Sequence, residues 1–263
     1  MVENPRWHKA DLHLHTRESD GIHHVGETFS RARAAGLQLV AITDHDEILR
    51  ASETQERSGM VTLPGVEVTS AQGHVIGIFP DIVPLEIPMG YSLLDTIAMI
   101  HDGGGWVVIP HVGVGVPPIS ISPRALRSIY QRGEYVDAIE TSHPIFDNRH
   151  ARIAGRLAEE LHIAPVGVSD DHEGNVGRRF ITLVPVATGD PKSDLQVALR
   201  DRTTLAVSSE LPLLSAPWSV PRHLGALVVG LQRKFANAPA FASAWLALAG
   251  DELREWRGDN GGK

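Results

Sequence analysis

The stretch ADLHLHTRESDG, Ala10 to Gly21, sets two histidines one residue apart on what reads as a short buried strand and puts an acid, Asp20, in the turn that follows. Strand side chains alternate faces, so His13 and His15 project together while Leu12 and Leu14 turn into packing. Two imidazoles on one side of a strand end are a ready pair of metal ligands. Alone, a His-x-His pair is equally well explained as a surface pair, and the rest of the chain has to decide.

Outward from that stretch, helix and strand signals alternate, the pattern of a parallel α/β architecture. VGETFSRARAA (Val25 to Ala35) reads as a helix stopped by Gly36, and LQLVAIT (Leu37 to Thr43) as a buried strand running into Asp44, His45 and Asp46. A helix is expected over Ile48 to Ser58. A strand, MVTLPGVEVTS, then carries Glu67, and GHVIGIF, opening on His74, follows so closely that a hairpin interrupts the alternation. Pro80 to Gly90 reads as a loop. Further on come a helix over Ser92 to Asp102, a strand GGWVVIPHVG ending on His111, and a helix over Pro123 to Arg132. The strand YVDAIETSHP ends near Glu140 and His143, a helix spans Asn148 to Leu161, and IAPVGVSDDHEG ends on Asp170, Asp171 and His172. RRFITLVPV, a helix from Ser193 to Arg200 and TTLAVS complete the repeating part.

Past Pro212 the character changes to a proline-marked loop and two helical patterns, His223 to Asn237 and Pro239 to Trp256. The apolar face of the second suits a cap packed on the barrel, or a dimerisation helix, which leaves the oligomeric state open. The expected division is therefore 1–210 for the barrel and 211–263 for a C-terminal helical extension.

Composition narrows the chemistry. The 263 residues, 42% hydrophobic, suffice for one large domain. With no apolar window of roughly 18 residues and no charged-then-apolar leader before Trp7, a soluble cytoplasmic protein with no membrane partner is expected. The absence of cysteine excludes disulfides and thiolate ligands, so any metal must be held by imidazole and carboxylate. A net charge of -8 argues against a broad nucleic-acid-binding face.

Collected from the strand ends, His13, His15, Asp20, His45, Glu67, His74, His111, Asp170 and His172 form one set of imidazoles and carboxylates in step with the strands. Burying so many ionisable groups together costs several kcal/mol each, roughly, unless they are paired or bound. Divalent cations solve the problem, and the mixed nitrogen and oxygen set suits zinc, manganese or iron.

HLH-x4-D at His13 to Asp20, AITDHD around His45, GVE at Glu67, HVIG at His74, PH at His111, IETSHP around His143 and SDDH at Asp170 to His172 resemble the successive motifs of the PHP (polymerase and histidinol phosphatase) family, in order, over residues 8 to 207. The resemblance implies a distorted seven-stranded (β/α) barrel with a two- or three-metal centre and phosphoester hydrolysis. Carried over by position, it implies a first metal on His13, His15, Glu67 and Asp170. Glu67 would bridge to a second on His74 and His111, and Asp20, His45 and His172 would hold a third.

The chemistry expected is attack of metal-held hydroxide on the phosphorus of a small nucleotide-like or sugar-like phosphomonoester. Arg17, His143, Arg178 and Arg179 are the candidate phosphate contacts, with Arg17, His143 and Arg179 foremost. Asp44 and Asp171, each beside a proposed ligand, are candidates for orienting ring nitrogens. The alternatives are an exonuclease on short oligonucleotides or a nucleoside bisphosphatase. From other classes come an amide or lactone hydrolase and a non-catalytic metal-binding module.

Overall fold

The computed structural model describes residues 6–48, 60–81, 86–114, 119–145 and 147–208. Its elements run β1 (Trp7–Asp11), α1 (Val25–Ala34), β2 (Leu39–Ile42), β3 (Val61–Ser70), β4 (Gly73–Ile78), α2 (Leu93–Asp102) and β5 (Trp106–Ile109). Then follow α3 (Pro123–Gln131), β6 (Ala138–Ser142), α4 (Asn148–Leu161), β7 (Ala164–Gly167), β8 (Phe180–Pro185), α5 (Pro191–Asp201) and β9 (Leu205–Ser208). Past Ile48 the expected helix over Ile48 to Ser58 lies outside the described residues, as do both C-terminal helical patterns and the proposed extension 211–263.

Helix starts follow local chemistry. Ser92, Ser122, Asp147 and Asp190 each accept a hydrogen bond from a first-turn backbone N–H, and Pro123 and Pro191 take first-turn positions where no donor is missed.

The strands form one mixed sheet in the order β7-β6-β5-β4-β3-β2-β1-β8-β9. β1, β2 and β3 run parallel, as do β5, β6 and β7; β4 and β8 are antiparallel to their neighbours. The expected seven-stranded barrel is thus a nearly closed sheet of nine strands, of which β1, β2, β3, β5, β6, β7 and β9 share one direction. The expected hairpin is the β3–β4 pair, with Glu67 opposite Ile76. The loop 168–179 carries the chain from β7 to β8, which enters antiparallel between β1 and β9.

At the seam β9 comes back against β7, where Thr204 Oγ1 donates to the Pro165 carbonyl at 2.7 Å. Gly167 permits β8 and β9 to close in together: a Cβ there would sit 2.6 Å from the Ile181 carbonyl oxygen of β8 and 3.1 Å from Val207 N of β9.

Both faces of the central strands are buried, which explains the unbroken apolar runs LVAI and WVVI. Leu39 and Ala41, Leu63, Ile76 and Ile78, Val108, Ala138, Ala164 and Val166 meet in one cluster inside the sheet, joined by Leu195 and Leu199 of α5. Alternate residues pack outward: Val40 and Ile42 under Phe29 and Ala32 of α1, and Val107, Ile109 and Ile139 under α2, α3 and α4. At roughly 1.5–3 kcal/mol per buried side chain, these layers dominate the favourable side of folding. Polar ligands at the strand ends are held on this apolar frame.

Candidate metal centre

The first strand is shorter than its sequence suggests. β1 ends at Asp11, and Leu12 joins the interior cluster while Leu14 packs outward beneath α1, so strict alternation fails between them. His13 to His15 are instead held between two neighbours. Thr43 N donates to the Leu14 carbonyl at 2.9 Å, and His15 N donates to the Asp171 carbonyl at 3.0 Å. Both histidines still converge, with their Nε2 atoms 2.9 Å apart.

The next turn brings Asp20 back over them. Asp44 anchors it by accepting from Thr16 N at 2.7 Å, Thr16 Oγ1 at 2.6 Å and Ser19 Oγ at 2.5 Å. Gly21 lets the turn lie on the His15 peptide, since a Cβ there would meet the His15 carbonyl oxygen at 2.6 Å. Asp171 likewise accepts from the backbone N–H groups of Glu173, Gly174 and Asn175. The expectation that Asp44 and Asp171 orient ring nitrogens is therefore corrected, because both carboxylates are occupied in shaping loops.

Glu67 lies at the middle of the site. Its parity on β3, shared with inward-facing Leu63, turns it inside. Oε2 lies 3.2 Å from His13 Nε2, 3.2 Å from His15 Nε2 and 3.3 Å from His45 Nδ1. Oε1 lies 2.9 Å from His74 Nδ1 and 3.0 Å from His111 Nε2. Asp170 Oδ1 completes the first side at 3.3 Å from His13 Nε2 and 3.2 Å from His15 Nε2. Around Asp20, His172 Nε2 is at 3.2 Å, His15 Nδ1 at 3.4 Å and His45 Nε2 at 3.6 Å. His74, at the start of β4, points into the cluster.

All nine ligand candidates thus converge, and the third group gains His15 as a further neighbour. Two need unusual backbone: His111 has φ 31° and Asp170 φ 44°. On β5 the outward residues are Val107 and Ile109, so His111 would face the helices if the strand continued. The left-handed turn brings its ring inward instead, a conformation worth roughly 1–3 kcal/mol of strain that surrounding contacts must hold.

The electrostatics call for a cation. Burial alone would push Glu67 and Asp170 up, yet the surrounding imidazoles hold both well below the carboxylate range. Burial pushes the His13 and His15 imidazoliums down, but Asp170 and Glu67 outweigh it, so both rise and His15 reaches about 10. His45, buried and beside His15 and His74, is pushed down to about 3. Asp20 is drawn low by His172, His15 and His45 despite its burial.

One proton between His13 Nε2 and His15 Nε2 serves a single pair. A divalent cation serves both nitrogens and both carboxylates. His15 Nδ1 and His111 Nδ1 are moreover buried without a hydrogen-bond partner among the described residues. The residues therefore fit divalent metal, with nitrogen and oxygen donors and no thiolate. The side chains of Asp20, His45 and His172 are 11–15% exposed and that of Asp170 18%, against 0–8% for His13, His15, Glu67, His74 and His111, so the centre is most open on the side lined by those four.

The candidate phosphate contacts divide. His143 is buried at the rim of the first group, its Nδ1 accepting from Ile145 N at 3.2 Å and its Nε2 3.2 Å from Asp170 Oδ2. Arg17 is exposed, its guanidinium 3.3 Å from His24 Nε2, and the Arg179 guanidinium lies over the Phe180 ring. Arg178 is exposed at the same turn.

One residue at the centre is absent from the sequence-based set. Glu140, at 0% exposure, accepts from His13 Nδ1 at 2.7 Å and from His111 N at 2.8 Å. Its position in IETSHP, two residues into a buried strand and level with the ends of its neighbours, was the available signal. Asp11 also works as a fastener, accepting from Ser169 N at 3.0 Å and Gly177 N at 3.1 Å.

A nearly closed, mostly parallel sheet carrying a histidine–carboxylate centre at its strand ends defines a metal-binding α/β barrel. The chain belongs to the PHP domain family, whose model matches residues 11–151, more than half of its length. It is 32% identical over 117 residues, 39% of this chain and 67% of the other, to the uncharacterized protein MJ1587 of Methanocaldococcus jannaschii. It is 39% identical over 75 residues to a 3′,5′-nucleoside bisphosphate phosphatase of Chromobacterium violaceum, a match that covers 26% of each chain. Among solved structures it resembles a two-domain protein of Bacteroides vulgatus containing a predicted PHP-like metal-dependent phosphoesterase. The TM-score is 0.61 at 20% identity, over 80% of this chain and 67% of that one, a likeness of fold. No helix among the described residues is long and apolar enough to cross a membrane.

Proposed function

We propose that this chain is a metal-dependent phosphoesterase that hydrolyses a small nucleotide-like or sugar-like phosphomonoester. The observation that carries the reading is Glu67, whose two oxygens are turned to two different sets of imidazoles as a carboxylate shared between two cations would be. His13, His15, Glu67 and Asp170 would hold the first metal, Glu67, His74 and His111 the second, and Asp20, His45 and His172 the third. Bound there, zinc, manganese or iron would supply an activated water at neutral pH and neutralise phosphoryl charge.

The chain's own groups do the rest. With Nδ1 accepting from Ile145 N, neutral His143 carries its proton on Nε2. That N–H points toward the Asp170 side of the centre, where it donates to a phosphoryl oxygen or to the leaving oxygen. Arg17, Arg178 and Arg179 supply cationic rim contacts for an anionic substrate entering an otherwise acidic protein. The more open side, lined by Asp20, His45, Asp170 and His172, admits the phosphoryl end, while buried His13 and Glu67 hold the inner side dry.

The test is phosphate release from phosphomonoesters, nucleoside 3′,5′-bisphosphates and short oligonucleotides, with metal content measured on the same sample. Release from one group that disappears in His13→Ala is the expected result. Metal-loaded protein that releases none, yet opens an amide or a lactone, would overturn it.

A further inference from the structure

Glu140 touches two of the proposed metal groups and is a ligand in neither. It sits on β6, fully buried, with one oxygen on each task. Oε1 accepts the His13 Nδ1 proton at 2.7 Å, and Oε2 accepts the His111 backbone N–H at 2.8 Å. The His111 carbonyl, on the other side of the same residue, accepts from Ser120 Oγ at 2.7 Å. His111 is therefore gripped at both ends while its backbone holds φ 31°.

We propose that Glu140 is the positioning residue that couples the first and second metal groups, fixing the His13 tautomer with one oxygen and the strained His111 peptide with the other. The inference rests on the metal centre proposed above. With the proton of neutral His13 on Nδ1, the lone pair of Nε2 faces His15, Glu67 and Asp170. With its N–H held, His111 keeps Nε2 at 3.0 Å from Glu67 Oε1. Both placements depend on a carboxylate, because each oxygen must accept.

Glutamine separates this role from mere filling, since it has the same shape with one acceptor and one donor. Whichever way the amide lies, one contact fails. Either its NH₂ opposes the His111 N–H, or it donates to His13 Nδ1 and drives the ring proton onto Nε2.

The test is Glu140→Gln, titrated with zinc and with cobalt after metal removal, read by bound ions per chain and by the cobalt visible spectrum. The expected result is a cooperative thermal melt of the metal-free variant with affinity weakened about 10- to 100-fold, and loss of ions from the first and second groups together. Wild-type affinity, or loss confined to one group, overturns the proposal. Glu160→Gln, in the exposed pair with Arg127, is the control with unchanged binding.

Should Glu140→Gln fail to fold, the zinc-loaded wild-type protein decides by nitrogen NMR. A proton on His13 Nδ1 upholds the assignment, and a bare Nδ1 overturns it. Wild-type protein that binds neither metal removes the metal centre and this inference with it. Protein that binds both but cleaves no phosphoester removes only the phosphoesterase reading, and Glu140 still stands or falls on the titration.

Discussion

Histidine meets carboxylate at both ends of this sheet, and the two ends are built differently. At the N-terminal ends of the strands His8 Nε2 lies 3.0 Å from Asp194 Oδ2, and His101 Nε2 lies 3.0 Å from Asp137 Oδ2. In each pair backbone donors occupy the same carboxylate: Thr188 N and Gly189 N on Asp194, and Val107 N on Asp137. These pairs are complete in themselves. At the C-terminal ends, Glu67 oxygens face five ring nitrogens, and the hydrogen bonds that satisfy them are all to imidazole. One end closes its own polar account; the other needs a ligand.

The strongest way to break that comparison is to remove the shared carboxylate. Glu67→Ala is expected to lose ions from the first and second groups and to bring phosphate release down to the no-enzyme level. Retention of both ions after dialysis would show that Glu67 is not shared between them. His143→Gln sharpens the same contrast more gently. On the proposed reading His143 is a hydrogen-bond donor to the phosphoryl or leaving oxygen rather than a ligand, and removing such a donor costs about 10²–10³-fold in rate. The variant is expected to fall by that factor with full metal content, and loss of an ion would reassign it as a ligand beside Asp170.

A smaller effect is expected from pH. In metal-free protein the carboxylates raise His15 from an ordinary 6.5 to about 10. Its proton is held more tightly in the folded state, so this contribution is fully present below about pH 6.5 and is lost as pH rises toward 10. Melting curves in chelator are expected to fall over that window. Zinc takes the proton's place, so the zinc-loaded protein is expected to hold its midpoint there. Parallel curves with and without zinc would place the proton elsewhere.

The sequence made the ligand candidates legible and hid what aims them. His45, Glu67, His111 and Asp170 each follow or end an apolar run, and such runs mark strand ends in an α/β sheet whatever the exact pairing. The hairpin at His74 was legible for the same reason, from the short interval after Ser70. Strand direction was harder: β8 lies in RRFITLVPV, but only its pairing with β1 and β9 shows that it runs backwards. The φ of His111 could not be read from residue type, since only a small minority of histidines adopt a positive φ. Asp44 and Glu140 show the limit most clearly. Adjacency to His45 suggested Asp44, yet neighbouring residues on an extended chain face opposite sides, and Asp44 holds the Thr16 loop. The carboxylate that reaches His13 comes from 127 positions away, and only the closing of the sheet brings it there.

The mildest substitution tests the comparison from its other end. His101→Leu removes one hydrogen bond to Asp137 and the stacking of the ring on Tyr135, 4.5 Å between centroids. Asp137 keeps its bond from Val107 N at 2.7 Å and is partly exposed, so no buried charge is stranded. The expected cost is about 1 kcal/mol, a fall in melting temperature of roughly 2–4 °C. Metal content and phosphate release should equal the wild-type values, because no ligand is touched and the rigid interior cluster separates His101 from Glu67. A variant that loses metal would mean that the pairs at the two ends are energetically joined through the strands, and that the N-terminal pair is part of the centre's support.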